Sequence, residues 1–347
     1  MRPSPSASLS RQTMARGLQH CAGALKGRNM YVSDWTRSGR FILCLCVTTM
    51  IGCTEPTAWG PPGSYGGPPF LVPEGEIVLA FSVTADWRYN AGANPDLFRG
   101  ACERIASGGR GAFMISPGDI SPPEGSLETI RTYIAPDYLW YPVIGNHETE
   151  NQVYMDWFRQ YCPELPDIVR GGPVGCEETT YSFDQAGIHF VILNEFFDGS
   201  TDAGDVGDVS DPLHNWLVED LTATEKSLIL VFGHVPAFPQ PDAESGRIRH
   251  EFDSLNLFPE HRDRFWQTLS HFGVAAYLCG HTHNFSAVQI DGVWQLDTGH
   301  ARGLADTGAR STFFMGYVMG NGSLWFYVYR LEYESKEYVL TQTLQVR

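Results

Sequence analysis

Six side chains that can bind metal ions follow short apolar runs in this chain of 347 residues. Three offer oxygen atoms and three offer imidazole nitrogens: Asp86, Asp119, Asn146, His234, His281 and His283. Such a mixed set suits Zn, Mn or Fe, whereas Ca prefers ligands made of oxygen alone. Because strand ends in an α/β sheet open onto one crevice, we expect the six side chains to meet there and to hold two metal ions.

The segments that carry these residues differ in specificity. The pair Gly118-Asp119 is usually no more than a turn, and a single histidine after a strand, such as His234, is usually a hydrogen-bonded residue of the core or the surface. The blocks Gly-Asn-His-Glu at 145–148 and Gly-His-Thr-His at 280–283 are much rarer by accident. Together with Asp86 they make five segments in order at predicted strand ends, which favours a metal centre over coincidence.

The first half of the chain alternates between predicted strands and predicted helices. Apolar runs predict strands at Glu76–Val83, Ala112–Ser116 and Trp140–Ile144. Helices are predicted from about Asn94-Pro95 and over Ser126–Leu139, between those strands. This alternation indicates a layer of parallel strands.

The second half changes character. A hairpin is predicted over 179–193, and helices precede the predicted strands Leu228–Phe232 and Ala275–Leu278. After Gly292 the chain is rich in strands joined by short polar turns. Antiparallel strands around a parallel half predict an α/β (α+β) fold, with two mixed sheets packed as a sandwich and helices on the outer faces.

Charge divides the chain into two parts. The first 52 residues carry seven Lys or Arg against one acid, a net of +6, so the remainder carries −22 within the overall −16. A body this acidic repels phosphate backbones unless a metal or a basic groove compensates. Nucleic acid is therefore not the expected partner.

Residues 1–52 have the features of an export signal. Arg37 and Arg40 precede an apolar run of about a dozen residues, too short for the roughly 30 Å hydrocarbon core of a bilayer. The run ends in Met50-Ile51-Gly52-Cys53, which resembles the lipobox of bacterial lipoproteins, although Leu usually stands at its first position. The resemblance implies a lipid on Cys53 that anchors the exported protein to a bacterial membrane, on the periplasmic or cell-surface side. A secreted soluble protein is the alternative.

The exported part divides into a tether and a body. Residues 53–75 are rich in Pro and Gly, which suits a tether, and residues 76–347 are long enough for one large core. Cys162 and Cys176 flank a loop rich in Pro and Gly, and we expect them to form a disulfide outside the cytosol. We expect Cys102 and Cys279 to be buried as small apolar residues.

The five segments together resemble the calcineurin-like metallophosphoesterase superfamily, which includes the purple acid phosphatases. The resemblance runs from about Ile77 to Ala301, and its specific parts are the blocks at 145–148 and 280–283. It implies an αββα sandwich and two divalent or trivalent metal ions (Fe, Mn or Zn). It also implies the hydrolysis of small phosphate mono- or diesters by a metal-bound hydroxide.

The resemblance implies a role for each ligand as well. Asp119 would bridge the two ions. Asp86 and His283 would bind the first ion, and the second ion would be bound by Asn146, His234 and His281. His147 would face the substrate and assist the leaving group, while Glu148 would support the loop from behind the ligands. His300 lies in a glycine-containing segment that would contact the substrate or else be exposed at the surface.

One position departs from the family pattern. Many members have a histidine ligand two residues after the first aspartate, but Arg88 stands there, and a guanidinium group does not coordinate metals. Purple acid phosphatases compensate with a tyrosine three residues after the second aspartate, where this chain has Pro122; Tyr89 is nearby, but nothing in the sequence shows that it substitutes. The first ion would bind weakly or take extra water, or Arg88 would direct positive charge toward a phosphate. The departure keeps open an alternative function, a metal-binding but catalytically weak surface lipoprotein that acts as a binding module.

Overall fold

The computed structural model describes residues 75–347. The predicted export signal, the predicted lipidation site Cys53 and the tether up to residue 74 lie outside the described residues. Within residues 75–347, no helix has both the length and the apolar character needed to cross a membrane.

Strands and helices alternate through the first half of the described chain, and strands dominate its end. The strands are β1 Ile77–Val83, β2 Phe113–Ser116, β3 Leu139–Pro142, β4 Ile168–Gly171, β5 Tyr181–Gln185, β6 Ile188–Ile192, β7 Leu228–Phe232, β8 Ala276–Cys279, β9 Phe285–Ile290, β10 Val293–Thr298, β11 Thr312–Met319, β12 Leu324–Glu332 and β13 Glu337–Gln345. The α-helices are α1 Phe98–Ser107, α2 Pro123–Tyr133, α3 Asn146–Thr149, α4 Gln152–Tyr161, α5 Asp211–Ala223 and α6 Pro259–His271.

The strands form two mixed sheets. The first has the order β13-β12-β11-β1-β2-β3, in which β1, β2 and β3 are parallel and the remaining neighbours are antiparallel. The second has the order β4-β5-β6-β7-β8-β10-β9, in which β6, β7, β8 and β10 are parallel. With helices flanking the sheets, the predicted sandwich of two mixed sheets is confirmed.

Aromatic side chains fill the space between the two sheets. Phe81 on β1 meets Phe190 on β6 edge to face, with ring centroids 5.6 Å apart, and Phe113 on β2 meets Phe183 on β5 in the same way at 5.7 Å. All four rings are fully buried. Edge-to-face packing is favourable because the positive ring edge meets the negative ring face. This packed core fixes the position of the parallel strands of one sheet relative to those of the other.

Two helices have bounds that differ from those predicted, and α2 begins at Pro123 rather than at Ser126. α2 ends at Tyr133 rather than near residue 139, because Pro136 disfavours helical geometry in the residue before it. α1 begins at Phe98 rather than at Asn94, since the Asn94 side chain accepts a hydrogen bond from the Asp96 backbone at 3.0 Å and forms a turn ahead of the helix. β4, β9 and α4 were not expected from the sequence pattern.

The predicted Cys162–Cys176 disulfide is wrong. Both cysteines are free and buried, as are Cys102 and Cys279. The Cys176 thiol lies 3.3 Å from the Thr179 hydroxyl and 3.2 Å from the Thr180 hydroxyl, so it is held by its own loop. Burial raises the pKa of the Cys162 thiol and raises that of Cys176 to about 12, which keeps both in the unreactive protonated form.

Candidate metal centre

All six predicted ligands lie just beyond the C-terminal ends of parallel strands. They follow β1, β2, β3, β7 and, for the last two, β8: Asp86, Asp119, Asn146, His234, His281 and His283. The first three strands belong to one sheet and the last two to the other. The two sheets therefore deliver oxygen ligands from one side and imidazoles from the other into one crevice.

The first ligand group contains Asp86, Asp119 and His283, which offer atoms that all lie within 4.8 Å of one another. His283 Nδ1 lies 3.1 Å from Asp306 Oδ2 and 2.6 Å from Arg249 Nη1. In the tautomer in which Nδ1 donates to Asp306, Nε2 is bare. That bare nitrogen is 3.6 Å from Asp86 Oδ1, a buried oxygen with no hydrogen-bond partner among residues 75–347. Two buried acceptors that face each other fit a cation between them.

The second group brings Asn146, His234 and His281 together beside the same aspartate. His234 Nδ1 donates to the Pro117 carbonyl at 2.7 Å, so its Nε2 is bare; that nitrogen lies 3.1 Å from Asn146 Oδ1 and 3.5 Å from Asp119 Oδ1. His281 Nδ1 lies 3.2 Å from Asn146 Oδ1. Asp119 thus contributes an oxygen to both groups, the position that a bridging ligand needs.

Backbone strain is concentrated at the ligands. The φ angles of Asp86, Asp119, His281 and His283 are 56°, 56°, 70° and 58°, in the left-handed region that residues with a Cβ rarely adopt. Each such residue costs on the order of 1–3 kcal/mol, and such strain clusters at functional sites. Gly280 is required here, because a Cβ at this position would collide with Asp86 Oδ2.

Burial sets the charge states of the ligands. Desolvation lowers the pKa of His234 to about 4 and that of His283 to about 3, so both imidazoles are neutral at physiological pH, the form that binds metals. Burial raises the pKa of Asp86 well above its usual value, and the charges of Asp119 and Asp297 raise it further. Neutral imidazoles do not balance the negative charge of the closely spaced carboxylates, and a metal ion bound here would balance it.

Glu148 holds the loops after β2 and β3 together. Its fully buried carboxylate accepts four backbone hydrogen bonds, from Gly145 and Asp119 at 2.8 Å and from Ile120 and Ser121 at 2.9 Å. Burial and the charge of Asp119 raise the pKa of Glu148 to about 7, against the opposing effect of these N–H donors. Glu148 contacts no ion site itself but sets where Asp119 and the following loop lie.

His147 lies beside the ligands without belonging to either group. Its Nε2 is 3.6 Å from Asp119 Oδ2, and 29% of its side chain is exposed, far more than that of the buried ligand histidines. Its Nδ1 lies 2.7 Å from Glu150 Oε1 and also contacts Arg88 Nη1. An imidazole in this position faces solvent and can reach a substrate that is bound at the metals.

Sequence reasoning missed three acidic residues that position the histidines, two through their carboxylates and one through its backbone carbonyl. Asp306 binds His283, and the Asp253 carbonyl accepts from His281 Nε2 at 2.8 Å. Buried Glu195 accepts from the backbone N–H of His234 at 2.7 Å. Glu195 follows β6, and its position after a strand could have identified it from the sequence. Asp253 and Asp306 lie in loops, where no sequence pattern identifies them.

Two other histidines lie close to the ligands. His250 packs on His281 with ring centroids 4.1 Å apart, and these two residues and Asp253 form another group of possible ligand atoms. His300 is fully buried, donates from Nε2 to the Ala309 carbonyl at 3.0 Å and accepts at Nδ1 from the Arg302 backbone. It packs behind the ligands, so it is neither a surface residue nor placed to contact a substrate.

The departure at Arg88 leaves the first group with three ligands among the described residues. Arg88 is directed to His147 and Glu150, and its guanidinium group also lies over the Tyr89 ring, 4.9 Å from the ring centroid. Tyr89 is 60% exposed and is not part of the ligand group. Pro122 begins the turn into α2 and supplies no metal ligand.

Comparison with known proteins agrees with this geometry. The family model described as calcineurin-like phosphoesterase matches residues 80–285, more than half of the chain. The chain belongs to the calcineurin-like phosphoesterase family. Calcineurin-like phosphoesterases are metal-dependent enzymes that typically bind two metal ions, and the two ligand groups that share Asp119 fit such a centre.

Solved structures of low sequence identity share the fold of this calcineurin-like phosphoesterase. GAP50, described as the anchor in the inner membrane complex of Plasmodium, aligns with a TM-score of 0.50 and 12% identity over 78% of this chain and 89% of its own. PhoD aligns with a TM-score of 0.50 and 11% identity over 77% of this chain and 69% of its own. No curated protein matches the chain in sequence. At these identities the likenesses show the fold alone.

Proposed function

We propose that the protein hydrolyses small phosphate mono- or diesters at a centre of two metal ions. The observation that carries the proposal is the arrangement of Asp119: it contributes to both ligand groups, and His147 lies 3.6 Å from its second oxygen. Two metal ions held by these ligands would lower the pKa of water and neutralise charge that develops on a phosphoryl group. Fe, Mn and Zn all suit the mixed oxygen and nitrogen ligands.

Residues of the chain would transfer the proton to the leaving group and hold the metal ligands in position. Protonated His147 would hold a proton on Nε2 and donate it to the leaving oxygen, while Glu150 accepts from Nδ1 at 2.7 Å and keeps the ring oriented. Asp306 and the Asp253 carbonyl orient the two ligand histidines. Glu148 preserves the distance between the β2 and β3 loops.

The test combines elemental analysis with a panel of phosphate esters. The purified protein is loaded with Mn, Zn or Fe, its bound metal is counted by mass spectrometry, and its turnover of 4-nitrophenyl phosphate and bis(4-nitrophenyl) phosphate is measured. We expect two ions per chain and turnover of at least one ester. Two bound ions with turnover of neither ester would overturn the proposal.

That negative result would favour a second candidate function, a catalytically weak metal-binding module at the bacterial surface. The three-ligand first group and the position of Arg88 motivate it, since a poorly held first ion would slow hydrolysis without abolishing metal binding at the second group. A metal-dependent binding partner and no ester turnover would then be the expected properties.

We further propose that the protein is exported and anchored through a lipid on Cys53, as the lipobox-like segment before that residue indicates. A fatty acid with an alkyne tag, fed to expressing bacteria, should label the wild-type protein, which should sediment with membranes. Cys53→Ser should lose the label and move to the soluble fraction. Equal labelling of both proteins would contradict the lipid anchor, and an unlabelled wild type released to the medium would support the secreted alternative.

A further inference from the structure

Exposed apolar side chains gather beside the ligands. Within residues 75–347, eleven large apolar residues are exposed to solvent. Five of these eleven belong to two loops, one after β6 and one after β7, and form an apolar rim: Val206, Ile248, Phe252, Leu257 and Phe258. Single exposed apolar residues are normal on a protein surface, but a cluster of them indicates a binding surface.

Contacts place the apolar rim next to the second ligand group. Phe252 directly precedes Asp253, whose backbone carbonyl accepts from His281 Nε2 at 2.8 Å. Leu257 lines a cavity of about 70 Å³ that His281 also lines, and Val206 lies between two further residues of the cavity wall. The rim therefore begins one residue away from a group that contacts a predicted metal ligand.

The loop that carries most of the rim is anchored by a buried residue. The Leu255 side chain is buried, and its backbone N–H donates to the Pro236 carbonyl at 3.2 Å. Phe252 and Leu257, on either side of it, are 82% and 47% exposed. Apolar area in contact with water is unfavourable, so side chains that are fixed in this exposed position suit an apolar ligand.

The cavity connects the rim with the ligands. Besides Asn146 and His281, it is lined by Phe196, Val235 and Leu257, whose side chains are apolar. A cavity of about 70 Å³ is far smaller than a pocket that encloses a whole small-molecule ligand. A long substituent of an ester bound at the metals would therefore continue out of the cavity and lie across the rim.

The charges beside the rim disfavour a second anionic group on the substrate. Segments 205–208 and 248–260 carry one arginine, Arg249, and five acids: Asp205, Asp208, Glu251, Asp253 and Glu260. Such a surface repels a further phosphate or carboxylate. The substituent that leads away from the metals should therefore be apolar and carry no negative charge.

We propose that the apolar rim binds a hydrocarbon chain, and that the substrate is an amphiphilic phosphate ester of the kind found at lipid surfaces. The inference rests on the proposed phosphoesterase function and names its substrate class. The phosphate would lie at the metal ions, and the chain would pass through the cavity and pack against Leu257 and Phe252.

The proposed lipid on Cys53 would keep the protein near such substrates. The described chain begins at Gly75, before β1, whereas the ligands follow the other end of that strand. The 22 residues from 54 to 75 can span at most about 70 Å, and a body of 273 residues is about 50 Å across. The tether is thus long enough for the rim to face the membrane.

The test compares esters that differ only in their chain. One pair of diesters is methyl and decyl 4-nitrophenyl phosphate, which share a leaving group. One pair of monoesters is methyl and decyl phosphate, followed by phosphate release. Each buried methylene is worth about fourfold in binding, so three of them should raise kcat/KM for the decyl ester about 60-fold over the methyl ester.

Variants assign this preference to the rim. Phe252→Ser and Leu257→Ser should each lower the ratio of kcat/KM for the decyl ester to that for the methyl ester about tenfold. Phe252→Leu should keep most of the ratio, because it preserves an apolar surface. Val78→Ser is the control: Val78 is 46% exposed at the start of β1, away from the ligands, and its replacement should leave the ratio unchanged. Metal content of all variants should match the wild type.

The outcomes distinguish this inference from the function on which it rests. Turnover of none of the four esters by the metal-loaded wild type would refute the phosphoesterase function itself. Equal kcat/KM for the methyl and decyl esters, or an unchanged ratio in Phe252→Ser with intact metal content, would refute only the role of the rim. A wild-type dimer in analytical ultracentrifugation that Phe252→Ser converts to a monomer would also refute it, because a second copy of the chain would then cover the rim.

Discussion

His234 Nε2 and His281 Nδ1 lie 3.2 Å apart, although the other nitrogen of each ring already donates to a backbone carbonyl. When both rings are neutral, neither facing nitrogen carries a proton and no hydrogen bond joins them. Two lone pairs at this distance repel each other unless a cation lies between them. This pair is thus the most direct structural indication of a metal ion at the second group.

Replacement of His234 should empty the second ion site. His234→Ala removes one of the two facing nitrogens, and we expect elemental analysis to find about one ion fewer per chain. Added Mn should stabilise the wild type against heat by about 2.7 kcal/mol at 100 times its dissociation constant, and the variant by less. An unchanged metal count would rule out His234 as a ligand.

Replacement of His147 should separate catalysis from metal binding. The residue lies outside both ligand groups, so His147→Ala should keep the wild-type metal content while turnover falls about 10²- to 10³-fold. Exposed His271 is the matched control, and His271→Ala should alter neither quantity. Loss of metal with an unchanged rate per bound ion would contradict a proton-transfer role.

Asp306→Asn should weaken the first ion site from a distance. The carboxylate accepts from His283 Nδ1 at 3.1 Å and thereby fixes which nitrogen faces Asp86. Loss of such a partner typically lowers metal affinity about 10- to 100-fold. Competition with a chelator measures the change. Asp137→Asn, at an exposed carboxylate that pairs with Arg110, should have no effect on affinity.

Glu148→Gln should destabilise the fold. The amide would place NH₂ against two of the four backbone N–H groups that now donate to the carboxylate, which should lower the free energy of unfolding by about 3 kcal/mol. Urea denaturation measures this quantity. Glu103→Gln, at a surface ion pair with Arg99, should cost less than about 0.5 kcal/mol. If Glu148→Gln and Glu103→Gln lowered the free energy of unfolding by the same small amount, the buried carboxylate would be replaceable.

His189 should make stability depend on pH. Burial alone would lower the pKa of His189, but hydrogen bonds to Asp220 at 2.9 Å and Asp184 at 2.7 Å outweigh it, so the pKa is raised. The stabilisation is complete below the pKa of about 6.5 in the unfolded chain, and it disappears as pH rises through the raised folded value.

The free energy of unfolding of the wild type should therefore exceed that of His189→Gln by more at pH 6 than at pH 9. Asp220→Asn, which removes one partner of His189, should reduce this pH dependence. A constant difference across the range would show that His189 stays neutral in the folded protein.

The sequence by itself determined which atoms could bind metal and where along the strands they lie. Strand propensity and turn chemistry act between near neighbours, so the runs before Asp86, Asp119 and His234 identified the ends of β1, β2 and β7. The motif blocks at 145–148 and 280–283 then identified the family, whose model matches the chain.

Only the tertiary structure decided how those atoms are oriented and charged. Asp306 and Asp253 reach the histidines from loops, His300 turns into the core, and Cys162 stays unpaired because each of these depends on segments far away in sequence. Side-chain partners across such distances are set by how the two sheets pack, a property of the whole core that no local pattern encodes.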